Sequence, residues 1–133
     1  MNVTYERVDR EIRDAFEATW AGATPVIYDD TPESIGDAPY FARFMVRPSQ
    51  GRQIAVGGRQ YRRSGSVLIE IYTDVRQGTG PLAALEEMAV RAFEGRTLPC
   101  GVRMSDVGAD RHGHDGRGYL HSTVSARFEY DTK

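Results

Sequence analysis

Residues 62–81 constrain this chain more than any other stretch: Arg62-Arg63-Ser64-Gly65-Ser66-Val67-Leu68-Ile69-Glu70-Ile71-Tyr72-Thr73-Asp74-Val75-Arg76-Gln77-Gly78-Thr79-Gly80-Pro81. Val67, Ile69, Ile71, Thr73 and Val75 alternate with Leu68, Glu70, Tyr72 and Asp74, the period of a half-buried strand. The pattern predicts that strand over 60–75. A Gly/Pro stop follows, and then Leu82, Leu85, Met88, Ala89, Ala92 and Phe93 recur at helical spacing. The predicted helix covers 82–94, with Pro81 at its first position, Gly80 or Thr79 as cap, and Gly95 just past its end. Glu86, Glu87, Arg91 and Glu94 are expected to face water. The start of the strand, 62–66, is polar on both sides and is expected to project beyond the core.

The remaining elements read from the same two periods. Tyr5, Val8, Ile12, Ala15, Phe16 and Trp20 share one face of a predicted helix over 4–20, with Thr4 or Asn2 able to cap it and Gly22 to end it. A short strand is predicted over 24–29, followed by a turn-rich loop to Pro39. The strand over 40–47 carries Ala42, Phe44 and Val46 on one face and Phe41, Arg43, Met45 and Arg47 on the other, so cover on both sides is expected. Residues 49–58 read as a Gly-rich loop or a loose β-arm. Strands over 102–107 and 119–130 complete the chain, with a charged, glycine-spaced loop over 108–118 between them. The expected order is α-β-β-β-α-β-β. It predicts an α+β fold: a mostly antiparallel sheet of about five strands with two helices on one face, in a single domain over 1–133.

Composition excludes several classes of function. The 133 residues carry a net charge of −2, so there is no whole-domain basic footprint for nucleic acid, and no sequence-specific nucleic-acid partner is expected. One cysteine, Cys100, rules out an intrachain disulfide and is expected to be a small turn residue. No apolar run approaches the ~20 residues of a membrane span, and the polar N-terminus is unlike a signal peptide, so a cytoplasm-like compartment and no membrane partner are expected.

Three patterns have chemical content. His112, His114 and Asp115 form the metal-like constellation of the chain, three good ligand types on one predicted loop. Set against it is a hydrophilic hairpin loop with no metal. Adjacent acids, Asp29 with Asp30 and Glu86 with Glu87, point in different directions on a strand or helix and do not make an acid–base pair. Arg52, Arg59, Tyr61, Arg62 and Arg63 form a basic, aromatic cluster. It reads as a subunit or partner interface, as phosphate contacts, or as a solvated hairpin tip. No nucleophile elbow, phosphate loop or dinucleotide fingerprint is present, and neither catalysis nor a cofactor is expected.

Arg63, Gly65, Val67, Ile69 and Ile71, then Gly78, Gly80, Pro81, Ala83 and Leu85, together resemble the tail-terminator (tail completion, minor tail protein U-like) proteins of long-tailed bacteriophages. Residues 41–48 are similar to that family's first core strand and 125–130 to its last. The resemblance implies a structural, non-enzymatic protein of the virion tail, present in the host cytoplasm during assembly. It implies a homo-oligomeric ring, commonly a hexamer, that caps the tail tube, stops its polymerisation and offers a head-joining surface. The implied partners are the tail tube protein and a head-tail connector or neck protein. In that setting the Arg52–Arg63 cluster and His112, His114 and Asp115 are the candidate interface residues. A neck or head-completion protein of the same virion is the nearest alternative. A small metal-binding domain built on His112, His114 and Asp115 is the alternative of a different class.

Overall fold

The computed structural model describes residues 3–29, 38–49, 51–54, 58 and 60–132. In chain order these form α1 (Tyr5–Trp20), β1 (Val26–Tyr28), β2 (Tyr40–Pro48), β3 (Arg52–Gln53), β4 (Tyr61–Asp74), α2 (Thr79–Phe93), β5 (Arg103–His114) and β6 (Tyr119–Thr132). The class and order are those the periodicity predicts, with the arm after β2 adding the two-residue β3. The sheet runs β1-β2-β4-β6-β5, and β3 pairs with β4. Every pairing is antiparallel except β1 with β2.

β4 is the spine. β6 pairs with it from Tyr61↔Thr132 to Asp74↔Tyr119, along its whole length. β2 covers the other edge from Tyr40↔Thr73 to Pro48↔Gly65, and β3 continues that edge at Arg52↔Arg62. The polar start of β4 therefore does not project: its backbone is paired on both sides. Gly65 explains why a polar, glycine-bearing segment fits there. A Cβ on Gly65 would lie 2.6 Å from the Arg47 carbonyl oxygen and closer still to Phe128 Cζ. The Phe128 ring fills the space over the glycine, and Tyr130 extends the core beyond it.

Both helices pack on one face. Thr4 caps α1 by accepting from the Arg7 N–H at 3.2 Å, and Ala21 and Gly22 end it in the left-handed region. Phe16 stacks on Trp20 and on Phe44 of β2, with centroids 5.0 and 4.7 Å apart. Trp20 Nε1 donates to Thr24 Oγ1 at 3.1 Å, which satisfies the buried indole and fixes the turn into β1. α2 starts three residues before Leu82, where its apolar stripe begins, so Pro81 is its third residue and still falls among the N–H groups that need no helical partner. Val8, Ile12, Phe16, Leu82 and Phe93 are all but fully buried against Val67, Ile69, Ile71 and Val124. Burial of each side chain of this size is worth ~2 kcal/mol.

One expected surface acid lies inside. Glu86 of α2 is only 7% exposed and turns toward the sheet. Its carboxylate accepts from the Arg111 guanidinium on β5 and from Ser122 Oγ on β6 at 2.5 Å. Burial pushes the Glu86 pKa up, but these bonds outweigh burial and hold it below the ordinary 4.5. The helical stripe did not reveal Glu86 because its partners lie on strands far away in sequence.

Two outcomes follow from this packing. Gly65→Val should destabilise the protein by roughly 2–4 kcal/mol, because the Arg47 carbonyl is backbone and cannot move aside; urea denaturation measures this, and a midpoint equal to wild type would contradict it. Glu86→Gln should cost roughly 1–3 kcal/mol near neutral pH, because it removes a charge-assisted link across the α2–sheet interface. The Glu86 contribution is present above pH 4.5 and lost as pH falls through its depressed folded value, so the gap between wild type and variant should close in acid. Melting temperatures across an acid pH series give that readout.

Candidate interaction surface

Alternation along the strands sends a second set of side chains to the sheet face that carries no helix. Phe41 of β2, Tyr72 of β4 and His121 of β6 stand directly opposite one another in register. Their rings stack in sequence across the sheet: Phe41 on Tyr72 at 4.5 Å and 7°, Tyr72 on His121 at 4.3 Å and 4°. A register shift in β5 between Arg111 and Gly113 brings His112 alongside. Its ring lies 4.7 Å from that of His121, and its Nε2 sits 2.9 Å from Thr123 Oγ1. Tyr119 closes one end edge-on, at 86° to Phe41 and 87° to Tyr72, and donates its hydroxyl to the Ala38 carbonyl at 3.0 Å.

The stack accounts for the apolar second face expected of β2. Phe41 is 7% exposed although no helix covers it, because neighbouring rings do. The arrangement leaves one polar atom in difficulty: His121 Nε2 is buried without a hydrogen-bond partner among the described residues. Burial first, and then the nearby His112, push the His121 pKa below its ordinary 6.5. Around the stack, Phe41, Tyr72, Tyr119 and His121 floor an open recess of ~490 Å³ whose rim includes Arg43, Arg117 and Asp115. Asp115 is committed to the hairpin turn, where Oδ1 accepts from the Arg117 and Tyr119 N–H groups at 2.7 and 3.1 Å. Arg43 and Arg117 are exposed and have no ion-pair partner among the described residues.

The predicted 108–118 loop is corrected by this geometry. Residues through His114 extend β5, and only a tight turn separates it from β6. Glycines and charges suit this strand because it is an outer edge and needs little apolar surface. The metal-like trio does not converge. His112 faces the ring stack, His114 stands opposite Leu120 and accepts from the Gly116 N–H at 2.9 Å, and Asp115 holds the turn. Among the described residues no three histidine, cysteine or acidic side chains gather as ligands.

The basic cluster also divides. Arg62 reaches Asp131 at 2.9 Å, and Arg103 reaches Glu129 and Asp131 at 3.4 and 3.5 Å, making an exposed cross-strand chain of charges. Such surface pairs are worth at most ~1 kcal/mol. Arg63 points to the opposite face, donates to the Tyr5 hydroxyl at 2.9 Å, and lies over the rings of Tyr5 and Tyr61. Tyr5 is 54% exposed, so this Arg–aromatic group is on the surface. Arg52 is exposed at the β3 edge, and Arg59 lies outside the described residues.

Comparison with known proteins adds a fold likeness. No family model and no curated protein matches the chain. Among solved structures, one of a protein whose name states no function superposes with a TM-score of 0.64 at 21% identity, covering 94% of this chain and 95% of the other. A chain in the virion of a native gene transfer agent particle superposes with a TM-score of 0.58 at 14% identity, covering 93% of this chain and 94% of that one. Both share this fold over nearly their whole length.

The depressed His121 pKa has a measurable consequence. His121 lies between Tyr72 and His112, with Glu70 and Asp115 the acidic groups that favour its protonation. The unfolded chain takes up a proton below 6.5 and the folded ring does not, so the contribution is full above that pH and is lost as pH falls through the lower folded value. The melting temperature should therefore drop on going from pH 7 toward pH 5 (about the ordinary histidine range). His121→Phe should flatten that part of the profile, and an unchanged slope would contradict the assignment.

Proposed function

We propose that this protein is a structural subunit of a phage-like particle, and within that class a tail terminator. The observation that carries the proposal is the end-to-end fold likeness to a chain of a gene transfer agent virion. The sequence resemblance to phage tail-terminator proteins, carried by residues 41–48, 63–85 and 125–130, points the same way. The chemistry of the described surface agrees with an assembly role. His112, His114 and Asp115 are tied into the ring stack and the hairpin, and at the surface Arg63 lies over Tyr5 and Tyr61, residue types favoured where proteins meet.

On this reading the subunit closes into a ring, commonly of six, on the end of the tail tube. One ring face matches the tube and the other meets the head-tail connector. A closed ring uses two different patches on each subunit, repeated until the rotation returns to its start. Tyr61 and Arg63 at the start of β4 form one such patch with Tyr5 beside them, while Arg52 stands opposite Arg62 on the other face of the sheet. Arg62 is committed within the subunit to Asp131 and serves the patch by holding β4 to β6.

Light scattering over a concentration series, with negative-stain images of the same sample, tests the reading. The expected result is a closed ring with a central hole and a mass that is a small multiple of 14.8 kDa. Tyr5→Glu combined with Arg63→Glu should abolish the ring while leaving a folded monomer. A wild-type protein that stays monomeric at every concentration would favour the neck-protein reading, and a ring indifferent to the double variant would remove the arm from the interface.

A further inference from the structure

The recess on the helix-free face is unrelated to the arm, and its chemistry is specific. Tyr72 has Phe41 against one ring face and His121 against the other, and His121 in turn lies between Tyr72 and His112. The central rings have spent their faces on each other and offer the recess only their edges. An aromatic edge carries the positive end of the ring quadrupole, whereas a base-stacking platform needs free faces. The rim adds Arg43 and Arg117, two exposed guanidinium groups without ion-pair partners among the described residues. The acid on the rim, Asp115, already has Oδ1 occupied by two backbone N–H groups.

Positive ring edges and two guanidinium groups without ion-pair partners among the described residues favour the same visitor. We infer that this recess is a docking site for an acidic polypeptide segment, with a side-chain carboxylate received between Arg43 and Arg117 above the edges of Tyr72 and His121. Guanidinium groups bind carboxylates through paired, charge-assisted hydrogen bonds, which gives the site direction as well as charge. Nucleic acid is disfavoured because the ring faces are unavailable for stacking and the chain as a whole is slightly acidic. The site goes beyond the tail-terminator reading and does not depend on it, since every group in it belongs to one subunit.

The test uses the full-length, isotope-labelled protein and a short peptide alternating Glu and Leu. Its Gln–Leu counterpart and an oligothymidylate of equal length are the controls. The acidic peptide should bind in preference to both, and the NMR shifts should concentrate on the Arg43 and Arg117 side chains and the His121 ring. Arg43→Gln with Arg117→Gln should weaken binding by about tenfold or more. Both arginines are exposed, so the variant should keep the wild-type circular dichroism and melting temperature. Equal affinity for the Gln–Leu peptide, tighter binding of the oligothymidylate, or undiminished binding to the double variant would each overturn the inference. None of these results bears on whether the protein forms a ring.

Discussion

The double-sided pairing of β4 is the constraint on which the rest of the structure depends. A strand with neighbours on both edges has its side-chain alternation locked, because a slip of one residue would exchange its two faces completely. Val67, Ile69, Ile71 and Thr73 are thereby committed to the helices, and Leu68, Glu70 and Tyr72 to the other side. β2 and β6 inherit their orientation from that register, and β5 inherits it from β6. The ring stack from Phe41 to His121 is a consequence: it exists because three strands place an aromatic or imidazole side chain at the same level.

The two faces use different physics. On the helix side, apolar packing dominates, and Glu86, the one buried acid among the described residues, is held by partners on two strands. On the other side, the sheet protects itself with flat side chains that cover one another and with cross-strand charge pairs such as Arg62 with Asp131. That covering spends ring faces and leaves ring edges and the cationic groups of Arg43 and Arg117 turned outward. At the far edge, the register shifts of β5 and the positive φ of Asp106 interrupt the ladder, a feature that discourages indiscriminate edge pairing.

Much of this architecture is legible in the sequence because it rests on local periods. The alternation from Val67 to Val75, the stripe of α2 and the stripe of α1 each reveal an element without reference to anything distant. What is not legible depends on register. Tyr72 reads as one member of a mixed face, and only its alignment with Phe41 and His121 makes it the middle of a stack. Glu86 reads as a surface acid until Arg111 and Ser122 arrive from strands more than twenty residues away. The 108–118 segment is polar enough to read as a loop, yet an edge strand needs backbone pairing more than apolar side chains, and β6 supplies it. Arg62 and Arg63 look like one cluster in sequence, whereas strand alternation puts them on opposite faces.

Residue-resolved amide hydrogen exchange on the isolated protein tests the central role of β4 most directly. The slowest amides should be those of β4 and β6 in the stretch where β4 is paired on both sides over the helices, from Val67 to Thr73 and opposite it, opening only with global unfolding. The outer strands β1 and β5 should exchange much sooner. If α1 or the β5 edge instead held the last protected amides, β4 would not be the element that organises the fold, and the orientation of both faces would need another cause.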